Sequence, residues 1–190
     1  MSNLLKEINN IPKTYFSLKD LSKISSLDKS SLKVALSRAV KAGKIIKLVN
    51  GLYTKNINNI SWENLAINIY NPSYVSFESG LNYYNILSQQ AISLTLATTK
   101  RKKDINIHNY HIVYRHIKSD HFWGYIRKDD YLIAEPEKAF LDLAYLSLNG
   151  YGYFDPKEMN LDLLDKEKIK SYLKKFNNKK LDKLINSTLF

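Results

Sequence analysis

The sequence predicts an α+β fold in two domains, on the basis of two observations. Over residues 1–58 apolar residues recur first at helical spacing and then alternate as in a β-hairpin, whereas over residues 59–190 helical and strand-like segments are interspersed. A chain of 190 residues is long enough for a small domain beside a medium-sized one. We expect residues 59–190 to form an α+β domain with a small, mainly antiparallel sheet and C-terminal helices.

The composition is typical of a globular protein without a membrane segment. Hydrophobic residues make up 44% and charged residues 25% of the chain, which is ordinary for a folded domain. The sequence contains neither a run of about 20 apolar residues nor the apolar core of a signal peptide. We therefore expect a cytoplasmic protein with no membrane partner. The lack of cysteine excludes disulfides, cysteine nucleophiles and thiolate metal sites.

The positive charge is concentrated at the N-terminal end of the chain. The net charge is +11, and residues 1–60 carry eleven Lys and Arg against three acidic residues, whereas residues 61–190 carry eighteen against fifteen. A basic module of this kind is typical of nucleic-acid binding. A solvated basic surface without a partner is the alternative that charge alone leaves open.

Two short helices are predicted first. One of them stops before Pro12, and its apolar residues are Leu4, Leu5, Ile8 and Ile11. The second begins with a capping box formed by Ser17 and Asp20, and Phe16 is placed to pack against Leu21 as a hydrophobic staple. The face of the second helix that we expect to be buried consists of Leu18, Leu21 and Ile24.

The third helix is predicted to present a DNA-reading face. Asp28 is its N-cap and Gly43 its C-terminal stop. Its inner face consists of Leu32, Ala35, Leu36, Ala39 and Val40. The opposite face carries hydroxyls, a valine suited to a thymine methyl group and an arginine suited to guanine, flanked by lysines for phosphates. The predicted DNA-binding residues of this helix are Lys29, Ser30, Ser31, Lys33, Val34, Ser37, Arg38 and Lys41.

A β-hairpin is predicted over residues 44–55, because Asn50-Gly51 between β-formers is typical of a type I′ turn. In that register Leu48 lies opposite Tyr53, and Lys47 lies opposite Thr54. Lys47, Asn50 and Lys55 are then available to the DNA backbone. Three helices followed by a hairpin is the order of a winged helix-turn-helix, which we expect over residues 1–58. The alternative is a winged helix that binds proteins and never contacts DNA.

The second domain is predicted to mix helices and strands. The predicted helices lie at residues 61–71, 77–87, 135–148, 161–176 and 179–185, and the predicted strands at residues 92–97, 110–117, 122–127 and 131–134. The basic run Lys100, Arg101, Lys102 and Lys103 follows the first strand. It is either a solvated turn or a source of extra phosphate contacts.

The second domain lacks the motifs of common enzymes. It has no glycine-rich phosphate loop and no Gly-x-Ser-x-Gly elbow, and His111, His116 and His121 are spaced five apart, so that consecutive rings point to opposite faces of a β region. We expect no catalytic residue, no metal and no cofactor. Two alternatives remain open: an acid-base cluster in residues 135–142, and a ligand pocket lined by the aromatic rings of residues 122–125 (Phe122, Trp123 and Tyr125).

Three segments carry a resemblance to a known family. They are residues 44–53 in the hairpin, residues 72–81 at the entry to the second domain, and residues 134–143 with their Pro-Glu-Lys-Ala core. With these segments the chain resembles, nearly end to end, the AbiEi-type antitoxins of type IV abortive-infection toxin–antitoxin systems. It departs from the family pattern at Asn50, where arginine is frequent, and at Gly80. The family motif residues of the second domain are Tyr74, Ser76, Glu78, Glu135, Pro136, Glu137, Lys138 and Asp142.

The resemblance implies a transcriptional repressor that is also an antitoxin. Its winged helix would bind double-stranded DNA at inverted repeats in its own promoter and repress its own operon. Its C-terminal antitoxin domain would counter a cognate nucleotidyltransferase-like toxin without forming a stable complex. No heptad seam is visible in the sequence, so we expect a monomer in solution.

Overall fold

The computed structural model of the protein describes residues 2–89 and 91–189. Helices and strands alternate along the chain, and the strands form two β-sheets, so the fold is of the mixed α+β kind. The chain divides into two compact units, Met1–Leu65 (unit 1) and Ala66–Phe190 (unit 2).

Unit 1 combines short helices with a small sheet. Its helices are α1 (Ser2–Asn9), α2 (Leu18–Leu21) and α3 (Lys29–Lys41), and its strands are β1 (Tyr15–Ser17), β2 (Ile46–Val49) and β3 (Leu52–Thr54). The strands form an antiparallel sheet in the order β1-β3-β2. Strand β1 is absent from the sequence-based prediction, because three residues are too few to establish an alternating pattern. Helix α4 (Trp62–Ile69) crosses the boundary into unit 2.

The capping box at the start of α2 is confirmed, but the predicted extent of the helix is wrong. The Asp20 amide donates to Ser17 Oγ at 3.1 Å, and the Ser17 amide donates to Asp20 Oδ2 at 2.8 Å. The helix ends at Leu21 after a single turn. The chain therefore leaves helical geometry before Ile24, which is 50% exposed rather than buried.

The hairpin has a different register from the predicted one. Lys47 pairs with Tyr53 and Val49 with Leu52, because a β-bulge places Leu48 outside the regular ladder. The predicted type I′ turn is also wrong, since it needs positive φ at both turn residues and only Gly51 has it, with φ 82°. A bulge increases the local right-handed twist of a hairpin, so this hairpin can twist without a type I′ turn.

The core of unit 1 lies on the inner face of α3. Its buried residues are Leu4, Ile8, Ile11, Phe16, Leu21, Leu32, Leu36, Ala39 and Ile45. Full burial of one aliphatic side chain stabilises the fold by about 1.5–3 kcal/mol, which fixes the rotation of α3 about its axis. The opposite face of the helix is consequently turned to solvent.

Unit 2 is built on a six-stranded mixed sheet. Its strands are β4 (Ser73–Val75), β5 (Leu94–Thr98), β6 (Lys103–Ile107), β7 (Tyr110–His116), β8 (Tyr125–Lys128) and β9 (Tyr131–Ala134). Their order is β6-β7-β5-β4-β9-β8, with the pairs β5·β7 and β4·β9 parallel and the other three antiparallel. The sheet is larger than predicted, because the three-residue β4 and the charged β6 gave no clear strand pattern.

Four helices complete unit 2. They are α5 (Phe77–Tyr83), α6 (Pro136–Ser147), α7 (Lys166–Phe176) and α8 (Lys179–Leu189). Every residue of α6 from Glu137 to Leu146 is buried, as expected for a helix covered on all sides. Helices α7 and α8 contribute Ile169, Leu173, Phe176, Leu181 and Ile185 to the same core. Because α6 is enclosed, its polar residues must find partners inside the protein.

Candidate functional site

The outward face of α3 is a solvent-exposed surface with no buried residue on it. Val34 is 50% exposed, whereas Leu32 and Leu36 on the other side of the helix are buried. Ser31 is half-buried, and the remaining predicted DNA-binding residues of α3 are all exposed: Lys29, Ser30, Lys33, Val34, Ser37, Arg38 and Lys41. Exposure of a valine side chain to water is not favourable. A side chain of this kind is suited to contact with a thymine methyl group in a major groove.

The N-cap of α3 already uses two of the predicted hydroxyls. Asp28 Oδ1 accepts from the amides of Ser30 at 2.8 Å and Ser31 at 3.0 Å, and it also accepts from the Ser30 hydroxyl. The Ser31 hydroxyl donates to Asp28 Oδ2 at 2.6 Å. These hydrogen bonds hold the pKa of Asp28 below its usual range. The hydroxyls of Ser30 and Ser31 are therefore engaged in capping, whereas Val34, Ser37 and Arg38 are exposed and lie outside the cap.

The other residues predicted to contact the DNA backbone lie in or next to the hairpin of unit 1. Lys47, Asn50 and Lys55 are all exposed. Lys55 borders a cleft of about 250 Å³ whose lining includes Lys13 and Asn56. Lys13 Nζ lies 2.7 Å from Asp20 Oδ1, so Lys55 is the better candidate of the two lysines for a phosphate.

A buried polar cluster in unit 2 unites Tyr74, Ser76, Lys138 and Asp142. The hydroxyls of Tyr74 and Ser76 each donate to Asp142 Oδ2 at 2.9 Å. Lys138 Nζ donates to the Tyr74 hydroxyl at 3.0 Å and pairs with Asp142 Oδ1. All four side chains are shielded from solvent. The cluster thus joins β4 and the start of α5 to the middle of α6.

An aromatic cage surrounds the ammonium group of Lys138. Its Nζ lies 4.9 Å from the ring centre of Phe176, 5.0 Å from that of Trp123 and 5.6 Å from that of Tyr74. Gly124 has φ +70° and approaches Lys138 so closely that a Cβ there would lie 3.0 Å from Lys138 Cγ. The ring faces stabilise the cation in place of water, and the missing side chain at position 124 leaves room for its stem.

Burial and pairing with Asp142 shift the pKa of Lys138 in opposite directions and the pKa of Tyr74 in the same direction. Burial lowers the pKa of Lys138, and the neighbouring Asp142 carboxylate opposes that shift. Burial also raises the pKa of Tyr74, together with the charge of Asp142. All four side chains are sealed from solvent. The arrangement is suited to holding the sheet and helix in one register.

The two glutamates of the motif face a separate group of residues. Lys168 Nζ lies 3.0 Å from Glu135 Oε1 and 3.1 Å from Glu137 Oε2, and the Tyr172 hydroxyl donates to Glu135. Burial disfavours the Lys168 ammonium, but hydrogen bonds and charges from both glutamates outweigh burial and raise its pKa. Pro136 between the glutamates occupies the first turn of α6. The motif therefore contacts α7 through its two glutamates and β4 through Lys138 and Asp142.

Glu78 points away from the buried cluster. Phe77 adopts a left-handed φ of 56°, which is unfavourable for a bulky residue. The chain turns there, so that Ser76 bonds Asp142 while both carboxylate oxygens of Glu78 lie 2.8 Å from Arg115 Nη1. Backbone strain of this kind persists where the surroundings require it. Glu78 and Arg115 line an open cleft in unit 2.

The basic run between β5 and β6 is held by side chains of its own unit. The Tyr70 hydroxyl donates to the Arg101 carbonyl at 3.1 Å, and the ammonium groups of Lys100 and Lys103 lie 5.2 and 5.0 Å from the Tyr70 ring centre. Residues 100–103 are all exposed. The loop backbone is thus fixed while its cations face solvent.

The rings proposed to line a ligand pocket pack instead on the core. Phe122 and Tyr125 lie 5.0 and 4.8 Å from the Tyr74 ring, and Trp123 lies 5.2 Å from Phe176. They are only half-buried, but their inner faces are occupied. This packing favours a core role for the three rings.

The histidines of unit 2 lie in different surroundings. His111 bonds the Ser93 hydroxyl at 2.8 Å, and His116 bonds the Lys100 carbonyl at 3.0 Å. His121 packs on Tyr145 and Phe176. Among residues 2–89 and 91–189, no group of three or more histidine, aspartate or glutamate side chains is arranged to hold a metal ion.

Several residues of these sites were not anticipated from the sequence. Lys168, Tyr172 and Phe176 recur at intervals of four along α7, a spacing that places them on one helix face, but their partners on α6 lie too far away in sequence to infer. The (i, i+4) spacing of Lys138 and Asp142 was the available signal for their ion pair.

No protein-family model and no curated protein sequence matches this chain. In the part of the chain that the structure describes, every helix is too short or too polar to cross a membrane.

Proposed function

We propose that this protein is a DNA-binding transcriptional repressor that represses its own operon and acts as the antitoxin of a phage-defence toxin–antitoxin pair. The observation that carries the DNA-binding part is the exposed face of α3, where Val34, Ser37 and Arg38 are all turned to solvent. This face belongs to the basic end of the chain, in which eleven Lys and Arg oppose three acidic residues over residues 1–60.

The order of elements in unit 1 supports a winged helix-turn-helix. Helices α2 and α3 follow one another, and the β2–β3 hairpin comes next and joins β1 in a three-stranded sheet. In such a module the later helix enters the major groove and the hairpin contacts the backbone. Accordingly, Arg38 binds a guanine edge, Val34 contacts a thymine methyl group, and Lys47 and Lys55 bind phosphates.

The basic run at residues 100–103 is a separate proposed source of phosphate contacts, within unit 2. Its backbone is held by Tyr70, so its lysines lose less conformational entropy on binding than those of a loose turn would. These contacts carry no sequence information, and their expected effect is on affinity and salt dependence alone.

The antitoxin part of the proposal rests on the family resemblance. Its support in unit 2 is that the motif residues Tyr74, Ser76, Lys138 and Asp142 form one hydrogen-bonded cluster. The sealed position of this cluster argues against an acid-base role for Lys138 and Asp142, two of the four residues in the enzyme alternative. We propose that the motif builds the antitoxin domain, and that a nucleotidyltransferase-like toxin is countered through its surface.

Titration of promoter DNA tests the DNA-binding part. A labelled duplex from upstream of the gene is titrated with the parent, Arg38→Ala and Lys47→Ala, and a scrambled duplex serves as the non-specific reference. Arg38→Ala should weaken specific binding by about 1–3 kcal/mol and leave scrambled DNA little changed, whereas Lys47→Ala should weaken both and reduce the salt slope by about 1.

Lys180→Ala is the charge-matched control, since Lys180 is an exposed residue of α8 outside the proposed interface. Equal binding of promoter DNA by the parent and both test variants would refute the assignment of α3 to the groove. Failure of every variant, and of the parent, to bind DNA would favour a winged helix that binds proteins.

Antitoxin activity is tested separately, by co-expressing the chain with the product of a neighbouring nucleotidyltransferase-like gene. Growth should be rescued by the parent and by Arg38→Ala alike, because the proposed antitoxin surface lies in unit 2. Rescue that depended on Arg38 would contradict this division of labour.

A further inference from the structure

A preformed cleft of about 260 Å³ lies in unit 2. Apolar side chains that line it include Leu87, Leu143 and Met159. A cleft of this size with an apolar lining can take one or two side chains from a binding partner. Neither α3 nor the buried polar cluster contributes a residue to it.

The cleft is locally acidic on a chain whose net charge is +11. Glu78, Asp155 and Glu158 line it together with a single cation, Arg115. Both oxygens of Glu78 lie 2.8 Å from Arg115 Nη1, so that pair is neutral. Within residues 2–89 and 91–189, no lysine or arginine forms an ion pair with Asp155 or Glu158.

The neighbouring Tyr153 is subject to the same negative potential. The pKa of Tyr153 is raised, first by the charge of Glu158 and then by that of Asp155. The Tyr153 hydroxyl lies 3.3 Å from Asp155 Oδ2. The two carboxylates therefore act on the space above the cleft, where a positively charged group would be favoured.

The rim of the cleft exposes large apolar side chains. Ile92 is 99% exposed and Tyr153 is 68% exposed, and both line the cleft. Tyrosine and aliphatic side chains exposed around an apolar depression are typical of the anchor regions of protein interfaces. The rim thus favours a protein segment over a small ion.

The two loops that form the cleft are fastened to neighbouring segments. Asn82 Nδ2 donates to the Leu87 carbonyl at 2.8 Å, and the Ala91 amide donates to Asn82 Oδ1 at 2.7 Å. The Asn160 amide donates to the Ile86 carbonyl at 2.7 Å. The site is consequently formed before a partner arrives, which lowers the entropic cost of binding.

We propose that this cleft binds a segment of a partner protein that presents a lysine or arginine beside an apolar side chain. The apolar residue would lie against the half-buried Leu87 and Met159, and the cation would lie between Asp155 and Glu158. The proposal does not depend on DNA binding by unit 1.

Fluorescently labelled peptides test the proposal with the full-length chain in the absence of DNA. One set carries arginine next to leucine or phenylalanine, a second set carries glutamine in place of arginine, and a third carries arginine beside glycine and serine. We expect micromolar binding of the first set alone. Asp155→Asn combined with Glu158→Gln should weaken that binding by about tenfold, and so should added salt.

The matched control is Asp129→Asn combined with Glu167→Gln, which changes the net charge equally at two exposed positions outside the cleft. It should bind the peptides like the parent. Equal binding by the cleft variant and the parent, or the absence of binding by every peptide, would overturn the proposal. If arginine amide competed as well as the apolar peptides, the site would be one for small cations and the proposed protein partner would be wrong.

Arg38→Ala keeps the two proposals apart. This variant should show the weakened binding of promoter DNA given above and retain the affinity of the parent for the peptides. Loss of peptide binding in Arg38→Ala would contradict the independence of the cleft from unit 1.

Discussion

Helix α3 carries three lysines and helix α6 carries one, and the two helices differ in where those lysines lie. Lys29, Lys33 and Lys41 on α3 are exposed, whereas Lys138 on α6 is fully buried and paired with Asp142. Water solvates the first group at little cost, while the second must find a carboxylate and aromatic rings inside the protein. The comparison teaches that a lysine stays available to a partner in one helix and contributes to the architecture in the other because their surroundings differ.

The largest expected effect is a loss of stability on breaking the ion pair of the buried Lys138. Asp142→Ala leaves Lys138 without its carboxylate in a dry site, and we expect the free energy of unfolding to fall by about 3–5 kcal/mol. Urea unfolding followed through Trp123, in a Trp62→Phe background, measures it.

The double variant Lys138→Met/Asp142→Leu is the control for the loss of the pair as a whole. It removes both charges together and, like Asp142→Ala, leaves the Tyr74 and Ser76 hydroxyls without their acceptor, so its free energy of unfolding should be higher than that of Asp142→Ala by at least about 1 kcal/mol. A double variant as unstable as Asp142→Ala would show that the ion pair itself, rather than its uncompensated lysine, dominates.

A methyl group at position 124 tests the close approach to Lys138. Gly124→Ala meets both a positive φ and a contact of 3.0 Å with Lys138 Cγ, and we expect a loss of about 2–4 kcal/mol by the same unfolding measurement. Gly150→Ala is the matched control, because Gly150 has φ +73° and open space around it. It should lose only about 1 kcal/mol, and equal losses would show that Lys138 moves freely away.

Val34→Asp tests the recognition side of the comparison. Since Val34 is half-exposed, the free energy of unfolding should change by less than about 0.5 kcal/mol. A carboxylate facing phosphates should nevertheless weaken promoter binding by more than about tenfold. Val34→Thr, which keeps the size and adds no charge, is the control. A stability loss in Val34→Asp comparable to that of a core variant would contradict the orientation of α3.

The smallest expected effect concerns the pH dependence of unit 1. Burial opposes ionisation of Asp20, but hydrogen bonds from Lys13 and Ser17 outweigh it and lower its pKa from 3.8 to about 2. A carboxyl group with a depressed pKa in the folded state stabilises the fold above pH 3.8, and this contribution is lost as the pH falls toward 2.

Asp20→Asn should remove that pH dependence and cost below about 1 kcal/mol near neutral pH. Hydrogen exchange of the Leu21 amide between pH 5 and about 2.5 measures it, with Asp162→Asn as a control at an exposed site of unit 2. An unchanged profile in Asp20→Asn would contradict the role of the capping box.

Local features of unit 1 were predictable because their causes lie within a few residues. Ser17 and Asp20 form the expected capping box, Asp28 caps α3, and Gly43 follows the end of that helix with φ 65°. Ile24 and Leu48 were predicted less well. The position of each depends on where an element ends or bulges, which the rest of the unit decides.

Unit 2 was less predictable because its contacts join distant segments. Lys138 lies 64 residues from Tyr74, and Glu135 lies 33 residues from Lys168. The parallel pairing of β4 with β9 likewise joins segments far apart in the chain. The sequence marked the residues of the 134–143 segment as a group, but it did not reveal that Glu137 and Lys138 face different partners.

The order of residues alone was sufficient for the caps, the apolar face of α3 and the basic N-terminal third, since each follows from local propensity, periodicity or composition. The strand order of the large sheet, the cage around Lys138 and the acidic cleft at Glu158 emerged only on folding. They depend on chain segments that meet through burial of a shared core, and no local pattern records which segments those are.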